Sequence, residues 1–125
     1  MQFDHLGIPT TVQQPGEIWV APSRVWVTDA HRHPFGVEWL RFEPDSPVTG
    51  PLRDRPHLGF RVDRREEIAE RSRGMKVLLE PFDAGFCIAG FYETADGVSI
   101  ELVWYYDEMT AWAEASKPEI SRSRQ

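Results

Sequence analysis

The amino-acid sequence predicts an α+β fold in which two βαβββ modules follow one another along one chain. The first observation is a His-Leu-Gly string that occurs twice, at His5 and at His57. The second is a strand-type segment in each half that carries one Glu after a β-branched residue, at Glu38 and Glu101. The third is the spacing of alternating apolar segments typical of strands, with a helical pattern only in the second half. The first module is therefore predicted to have its helix shortened or lost.

A chain of 125 residues suits one domain with its own core. We predict a single domain over 1–125, with module 1 at 1–46, module 2 at 55–106, and a short C-terminal helix and tail at 107–125. The segment "EPDSPVTGP" contains three prolines and a glycine, so it is the predicted linker between the modules.

In module 1, "MQFDHLGI" alternates as a strand does and ends at Pro9. The segment Thr10 to Gly16 is too short for the helix of a complete module, so it is predicted to be a loop. Three further strand segments complete the module: "EIWV", "SRVWVTD" and "VEWLRF".

In module 2, "HLGFRV" is the first predicted strand, and a helix follows it. Asp63 and Glu66 form a capping-box pattern at the start of this helix, and Gly74 ends it. The remaining strands are "KVLLEP", "FCIAGFYE" and "VSIELVWYY", and Ala95-Asp96-Gly97 is a hairpin-type turn.

The order His, Glu, His, Glu also agrees with the side-chain faces of the strands. His5 and Glu38 are 33 positions apart and His57 and Glu101 are 44 apart, a difference of about one helix. Because side chains alternate across a strand, Gly7 and Gly59 share the faces of the two histidines and leave room beside them. Two imidazoles and two carboxylates that converge indicate a divalent metal site for zinc, nickel, cobalt, manganese or iron.

These residues resemble the vicinal oxygen chelate superfamily, which includes lactoylglutathione lyase (glyoxalase I), methylmalonyl-CoA epimerase, extradiol dioxygenases and bleomycin resistance proteins. The resemblance extends from "FDHLGI" to "GVSIELVW" and is most specific in "HLGFRVD" and "GVSIELVW"; "VEWLRFEPDSPVTGPL" resembles the epimerase-like branch. It implies a glyoxalase-like domain whose eight strands form a curled mixed sheet around a central site. It also implies a homodimer and one metal ion held by four residues: His5, Glu38, His57 and Glu101.

The resemblance implies a lyase or isomerase that acts on a proton next to a carbonyl through a chelated enediolate or enolate of a small-molecule substrate. Glu101 is the favoured catalytic base and Glu38 the alternative, because both are ionisable carboxylates at the metal. Arg61 shares the His57 face and is expected to bind a substrate carboxylate or phosphate, and Tyr105 is expected to line the pocket. Without the first helix, one wall of the site is open or covered by another subunit.

Two other functions remain open. A ferrous extradiol-type dioxygenase uses two histidines and one carboxylate, and Glu38 as a fourth ligand argues against it. A metal-free protein that binds a drug or metabolite would use the aromatic residues as an apolar pocket, but four ligand-type residues argue against it.

Composition excludes several other classes. A net charge of −6 argues against nucleic-acid binding, and no apolar run approaches the roughly 20 residues needed to cross a membrane. The N-terminus has no export-signal pattern, so a cytoplasmic location is expected. The single Cys87 lies in an apolar run and is expected to be a buried, inert thiol. His31 and His33 are expected at the surface in a turn.

Overall fold

The computed structural model of the chain describes residues 1–106, which form an eight-stranded mixed sheet in the order β2-β3-β4-β1-β5-β8-β7-β6. The predicted C-terminal helix lies outside the described residues. The strands are β1 (Gln2–Pro9), β2 (Ile18–Val20), β3 (Val25–Val27), β4 (Val37–Phe42), β5 (His57–Arg61), β6 (Lys76–Asp83), β7 (Cys87–Glu93) and β8 (Ser99–Tyr105). The sheet curls into a half-barrel, so the predicted fold class is confirmed.

The two modules repeat each other down to the pairing register. In module 1, β1 pairs in parallel with β4 and places Gly7 opposite Glu38. In module 2, β5 pairs in parallel with β8 and places Gly59 opposite Glu101. The modules join through antiparallel β1 and β5, where His5 lies opposite Gly59 and His57 opposite Gly7. The predicted ligands therefore all lie on the four central strands.

The described chain contains two short α-helices, α1 (Pro51–Asp54) and α2 (Glu67–Arg71), and 3-10 turns at Ala21–Ser23 and Ala30–Arg32. The segment between β1 and β2 is not helical, as predicted for module 1. None of the helices among residues 1–106 is long and apolar enough to cross a membrane. The cytoplasmic location stays a prediction.

The capping box predicted for α2 is wrong. The helix begins at Glu67, and Asp63 lies upstream in a turn, too far along the chain to cap it with its side chain. The carboxylate of Glu67 instead accepts hydrogen bonds from the backbone N–H groups of Asp63 and Arg64, both at 3.1 Å. A side chain of the first helical turn, that of Glu67, therefore holds the preceding turn against the helix.

Two segments have more structure than predicted. The linker leads directly into α1, and Val48 of the linker and Leu52 of α1 are buried in the core, so this segment packs against the modules rather than only joining them. The strand predicted as "KVLLEP" extends to Asp83, because Phe82 and Asp83 pair with Ala89 and Ile88 of β7.

The sheet has two apolar faces with different partners. The outer face of module 2 packs against α2, where Ile68 contacts a cluster that includes Ile100 and Leu102, as the strand alternation predicts. The inner face carries the larger cluster and surrounds the predicted site. Its buried members come from both modules and the linker: Val20, Val25, Val27, Leu40, Val48, Leu52, Phe86, Cys87, Ala89, Phe91 and Val103.

Candidate metal centre

The structure brings the four predicted ligands together at one point within a single chain. His5, Glu38, His57 and Glu101 are each at most 8% exposed, and one potential ligand atom from each lies within 4.8 Å of all the others. Burial of two carboxylates is unfavourable without a nearby positive charge. The side chains therefore form an environment that stabilises a cation.

Most of the distances between the ligand atoms fit a bound metal ion. Nε2 of His5 lies 2.8 Å from Oε1 of Glu101, and Nε2 of His57 lies 3.0 Å from the same oxygen. The two Nε2 atoms are 3.3 Å apart. Oε1 of Glu38 lies 3.4 Å from Nε2 of His5 and 3.6 Å from Nε2 of His57. At tetrahedral angles, zinc bonds of about 2.0–2.2 Å place ligand atoms about 3.3–3.6 Å apart. The distances between the two histidines and from each of them to Glu38 match this spacing, whereas the two contacts of Glu101 are shorter, as hydrogen bonds are.

Two glycines make the approach of the imidazoles possible. A Cβ atom on Gly7 would clash with the ring of His57, and a Cβ atom on Gly59 would clash with the ring of His5. Each glycine therefore makes room for the histidine of the other module, across the β1–β5 pair. The sequence predicted room beside the histidines, and the structure shows that this exchange between modules provides it.

Asp4 is a site residue that the sequence analysis missed. The pairing register between β1 and β5 shifts between Phe3 and His5, and this bulge lies at Asp4. Simple alternation would place Asp4 and His5 on opposite faces, but a bulge redirects a side chain. As a result, Oδ2 of Asp4 lies 2.7 Å from Nδ1 of His5. The Asp-His pair in the sequence was the only available signal, and alternation argued against it.

The carboxylate of Asp4 is almost fully buried and accepts three hydrogen bonds. One comes from His5. The hydroxyl of Tyr105 donates the second to Oδ2 at 2.7 Å, and Nε2 of His31 donates the third to Oδ1 at 2.9 Å. Burial alone would raise the pKa of Asp4, but these bonds hold it well below its usual range. An ionised carboxylate only accepts hydrogen bonds, so His5 presents the Nδ1 proton to Asp4 and its Nε2 to the ligand cluster.

His31 lies at the surface in a 3-10 turn, as expected, but it also contacts the site. The sequence analysis assigned it to a surface turn, and 30% of its side chain is exposed. Nε2 of His31 nevertheless contacts Asp4, and the centroid of the His31 ring lies 5.7 Å from that of Tyr105. His31 therefore connects the site to the protein surface through Asp4.

The charges in the cluster are strongly coupled. Burial lowers the pKa of His5, but the carboxylates of Glu38 and Glu101 and the bond to Asp4 raise it well above its ordinary value. Burial raises the pKa of Glu101, but His5 and His57 lower it to about 2. In the metal-free protein, a proton on His5 thus supplies part of the positive charge that a metal ion would bring to the two carboxylates.

His57 is held differently from His5. Its Nδ1 is buried and has no hydrogen-bond partner within residues 1–106. The ring packs edge-on against Phe91, with centroids 5.1 Å apart at 88°. Apart from the contact of its Nε2 with Glu101, packing therefore sets the orientation of this imidazole.

A cavity that is partly open to solvent extends from the cluster along the inner face of the sheet, with about 560 Å³ of empty space when the solvent at its mouth is included. His5, Glu38 and Glu101 lie at its wall, and so does Tyr105, as the sequence predicts. Arg61 is not among the described lining residues and lies beside Gln2 and Val103 on neighbouring strands. Cys87 also lies on the wall, and burial raises the pKa of its thiol well above its ordinary value, in keeping with an inert side chain.

The eight-stranded half-barrel with paired modules is the fold that the sequence resemblance implied. A crystal structure of methylmalonyl-CoA epimerase from Mycobacterium tuberculosis matches with a TM-score of 0.57 and 18% identity, over 88% of this chain and 91% of that one. A crystal structure of a glyoxalase/bleomycin resistance protein/dioxygenase from Alicyclobacillus acidocaldarius matches with a TM-score of 0.36 and 13% identity, over 84% and 92%. No protein-family model and no curated protein sequence matches the chain. At 18% identity, the likeness to the epimerase structure concerns the fold alone.

Proposed function

We propose that the protein is a metal-dependent lyase or isomerase that moves a proton next to a carbonyl group of a small substrate. One observation carries this proposal: four buried imidazole and carboxylate groups converge at the wall of a cavity. The cavity is partly open to solvent, so a small molecule can reach the cluster.

His5, Glu38, His57 and Glu101 would hold the divalent ion. Such an ion supplies Lewis-acid chemistry, polarising a substrate carbonyl and stabilising negative charge on its oxygen. Asp4 fixes the orientation of His5, and Phe91 and Gly7 fix that of His57. These contacts keep both nitrogen ligands directed at one point.

Glu101 and Glu38 are the candidate bases for the proton. Both line the cavity, as a base that reaches the substrate must. Glu101 contacts the two histidines at 2.8 and 3.0 Å, whereas the contacts of Glu38 are 3.4 and 3.6 Å. Glu101 remains our first choice because its sequence context is the more specific, but Glu38 is held less tightly and is the easier to release.

Tyr105 is the proposed substrate contact inside the cavity, with its hydroxyl already bonded to Asp4. Arg61 is the proposed contact for an anionic group, and its position at the end of β5 would place that group outside the described cavity wall. An Arg61→Gln variant tests this role through the KM for an anionic substrate.

The metal site is tested by elemental analysis of the purified protein. We expect about one divalent ion per chain, and much less in His5→Ala and His57→Ala variants that remain folded. Absence of metal from the native protein, even after reconstitution with zinc, nickel, cobalt, manganese and ferrous iron, contradicts the proposal.

The reaction is tested by proton exchange. Metal-loaded protein in deuterium oxide should incorporate deuterium next to the carbonyl of a 2-oxoaldehyde hemithioacetal or a 2-substituted malonyl thioester, measured by mass spectrometry. We expect Glu101→Gln to reduce exchange by about two to four orders of magnitude, the usual contribution of a general base. If Glu38→Gln has the larger effect, the roles of the two carboxylates are reversed.

The apolar wall also favours a second candidate, a binding protein that sequesters an apolar metabolite or drug. Tight ligand binding without metal and without exchange would support it. Oxygen consumption by a ferrous form with a catechol would instead support the dioxygenase function.

A further inference from the structure

The cavity wall is sharply divided into a charged part and an apolar part. Among the described lining residues, the ionisable groups of the metal cluster occupy one place, and the remainder of the wall is mainly aliphatic and aromatic. The apolar wall comes from both modules and the linker, and it includes Leu40, Leu52, Leu79, Phe86 and Phe91. No Lys or Arg is among the described lining residues.

Three arginines that adjoin lining residues along the chain have partners of their own. Arg24 contacts Asp45 at 2.8 Å, and Arg41 contacts Glu17 at 2.6 Å. Arg53 donates to the backbone carbonyls of Glu43 and Val48. A negatively charged group placed in the cavity away from the metal cluster would thus meet apolar carbon without a Lys or Arg from the described lining residues, and such burial is strongly unfavourable.

We infer that the substrate carries an uncharged apolar group, aliphatic or aromatic, directly attached to its pair of metal-binding oxygens. This inference rests on the proposed function, because the oxygen pair is placed by the metal cluster. The apolar group fills the space between β4, β7, β8 and the linker, where it replaces water against buried carbon. Anionic substituents belong only outside the cavity.

Hydroxamic acids test this inference because they bind metal ions through two vicinal oxygens. Calorimetry on the zinc-loaded protein would compare acetohydroxamate with butano-, hexano- and 4-phenylbutanohydroxamate. Each methylene that becomes buried should raise the affinity about fourfold. The monohydroxamate of adipic acid, which has the length of hexanohydroxamate but ends in a carboxylate, should bind at least tenfold more weakly.

A variant pair tests the location of the apolar group. Leu79 is partly buried and lines the cavity on β6, whereas Val77 on the same strand is 45% exposed and is not a lining residue. In Leu79→Lys, the order of hexanohydroxamate and adipic monohydroxamate should reverse, because a lysine can extend its ammonium group to the cavity mouth. Val77→Lys adds the same charge and should leave both affinities within about twofold of the native values.

The outcomes separate this inference from the proposed function. If zinc-loaded protein binds acetohydroxamate but gains nothing from longer chains, or binds the two six-carbon probes within threefold, the inference is overturned and the metal site stands. If no hydroxamate binds in a zinc-dependent manner, the proposed function itself fails. If Leu79→Lys does not fold, the native protein with the six-carbon pair still decides the inference.

Discussion

At the scale of single residues, Asp4 orients the site without being one of the four proposed ligands. It binds His5 at Nδ1 and is held in turn by Tyr105 and His31. A carboxylate in this position fixes the ring and makes the distal nitrogen a better metal ligand. Nδ1 of His57 has no such partner in the described chain. Loss of a hydrogen-bond partner at Nδ1 can therefore affect His5 but not His57.

Asp4→Asn should therefore lower the zinc affinity by about 10- to 100-fold, because an amide orients the imidazole less strongly. Competition with a chromogenic chelator measures the affinity. Asp45→Asn is the matched control, since Asp45 is an exposed partner of Arg24 and is not part of the ligand cluster. A loss of less than about threefold in Asp4→Asn would show that the packing alone orients His5.

The charge on His5 predicts how metal binding depends on pH. Because its pKa lies well above 6.5 in the metal-free protein, His5 carries a proton at neutral pH that must leave when an ion binds. Metal affinity should rise about tenfold per pH unit from pH 6.5 until the raised pKa of His5 is reached, and then level off. In the metal-free protein the sign is opposite: stabilisation by protonated His5 is complete below pH 6.5 and is lost as the pH rises through the raised pKa.

Titration calorimetry in buffers with different ionisation enthalpies counts the protons released. We expect close to one proton per zinc at pH 7 from His5. Zero release, with an affinity that is constant between pH 6 and pH 8, would contradict the assignment of a raised pKa to this residue.

At the scale of secondary-structure elements, the β1–β5 pair determines the geometry of the site. The two strands exchange histidine and glycine across the pair, so each ring lies over the glycine of the opposite strand. An added methyl group at either glycine collides with a ring rather than with a flexible chain end. The strand pair cannot relax without separating the two imidazoles.

Gly59→Ala should consequently destabilise the protein by about 1–3 kcal/mol, the usual cost of overpacking, and should abolish stoichiometric metal binding. Thermal unfolding and elemental analysis measure the two effects. The exposed Val77→Ala on β6 is the control and should change neither. A Gly59→Ala protein with native stability and full metal content would show that the rings have more room than this packing allows.

At the scale of the whole molecule, the sheet ends at two strand edges, β2 and β6, within the described residues. Module 1 lacks the helix that covers a sheet face in module 2, and Phe3 and Phe35 are 53% and 86% exposed. Unpaired edges and exposed apolar side chains favour association. All four ligands come from one chain, so association is not needed to build the metal cluster.

We predict a homodimer, and light scattering over a range of concentrations checks it. Phe35→Ser should weaken the dimer if this side chain is in the contact, whereas Phe3→Ser tests the exposed side chain on the central strand β1. A monomer at high protein concentration would exclude the dimer and leave the open side of module 1 exposed to solvent.

The sequence by itself determined the paired modules, the four candidate ligands and the faces on which they lie. These features depend on local patterns, namely a repeated string and a strand period of two, which survive without knowledge of strand pairing. Tertiary structure decided the role of Asp4, because the bulge that turns it toward His5 arises only when β1 pairs with β5. It also decided that the linker packs into the core, that Glu67 replaces Asp63 at the start of α2, and that Arg61 lies away from the cavity wall. The role of Asp4, the packing of the linker and the position of Arg61 depend on contacts between segments distant in the chain. Alternation along a single strand cannot reveal such contacts.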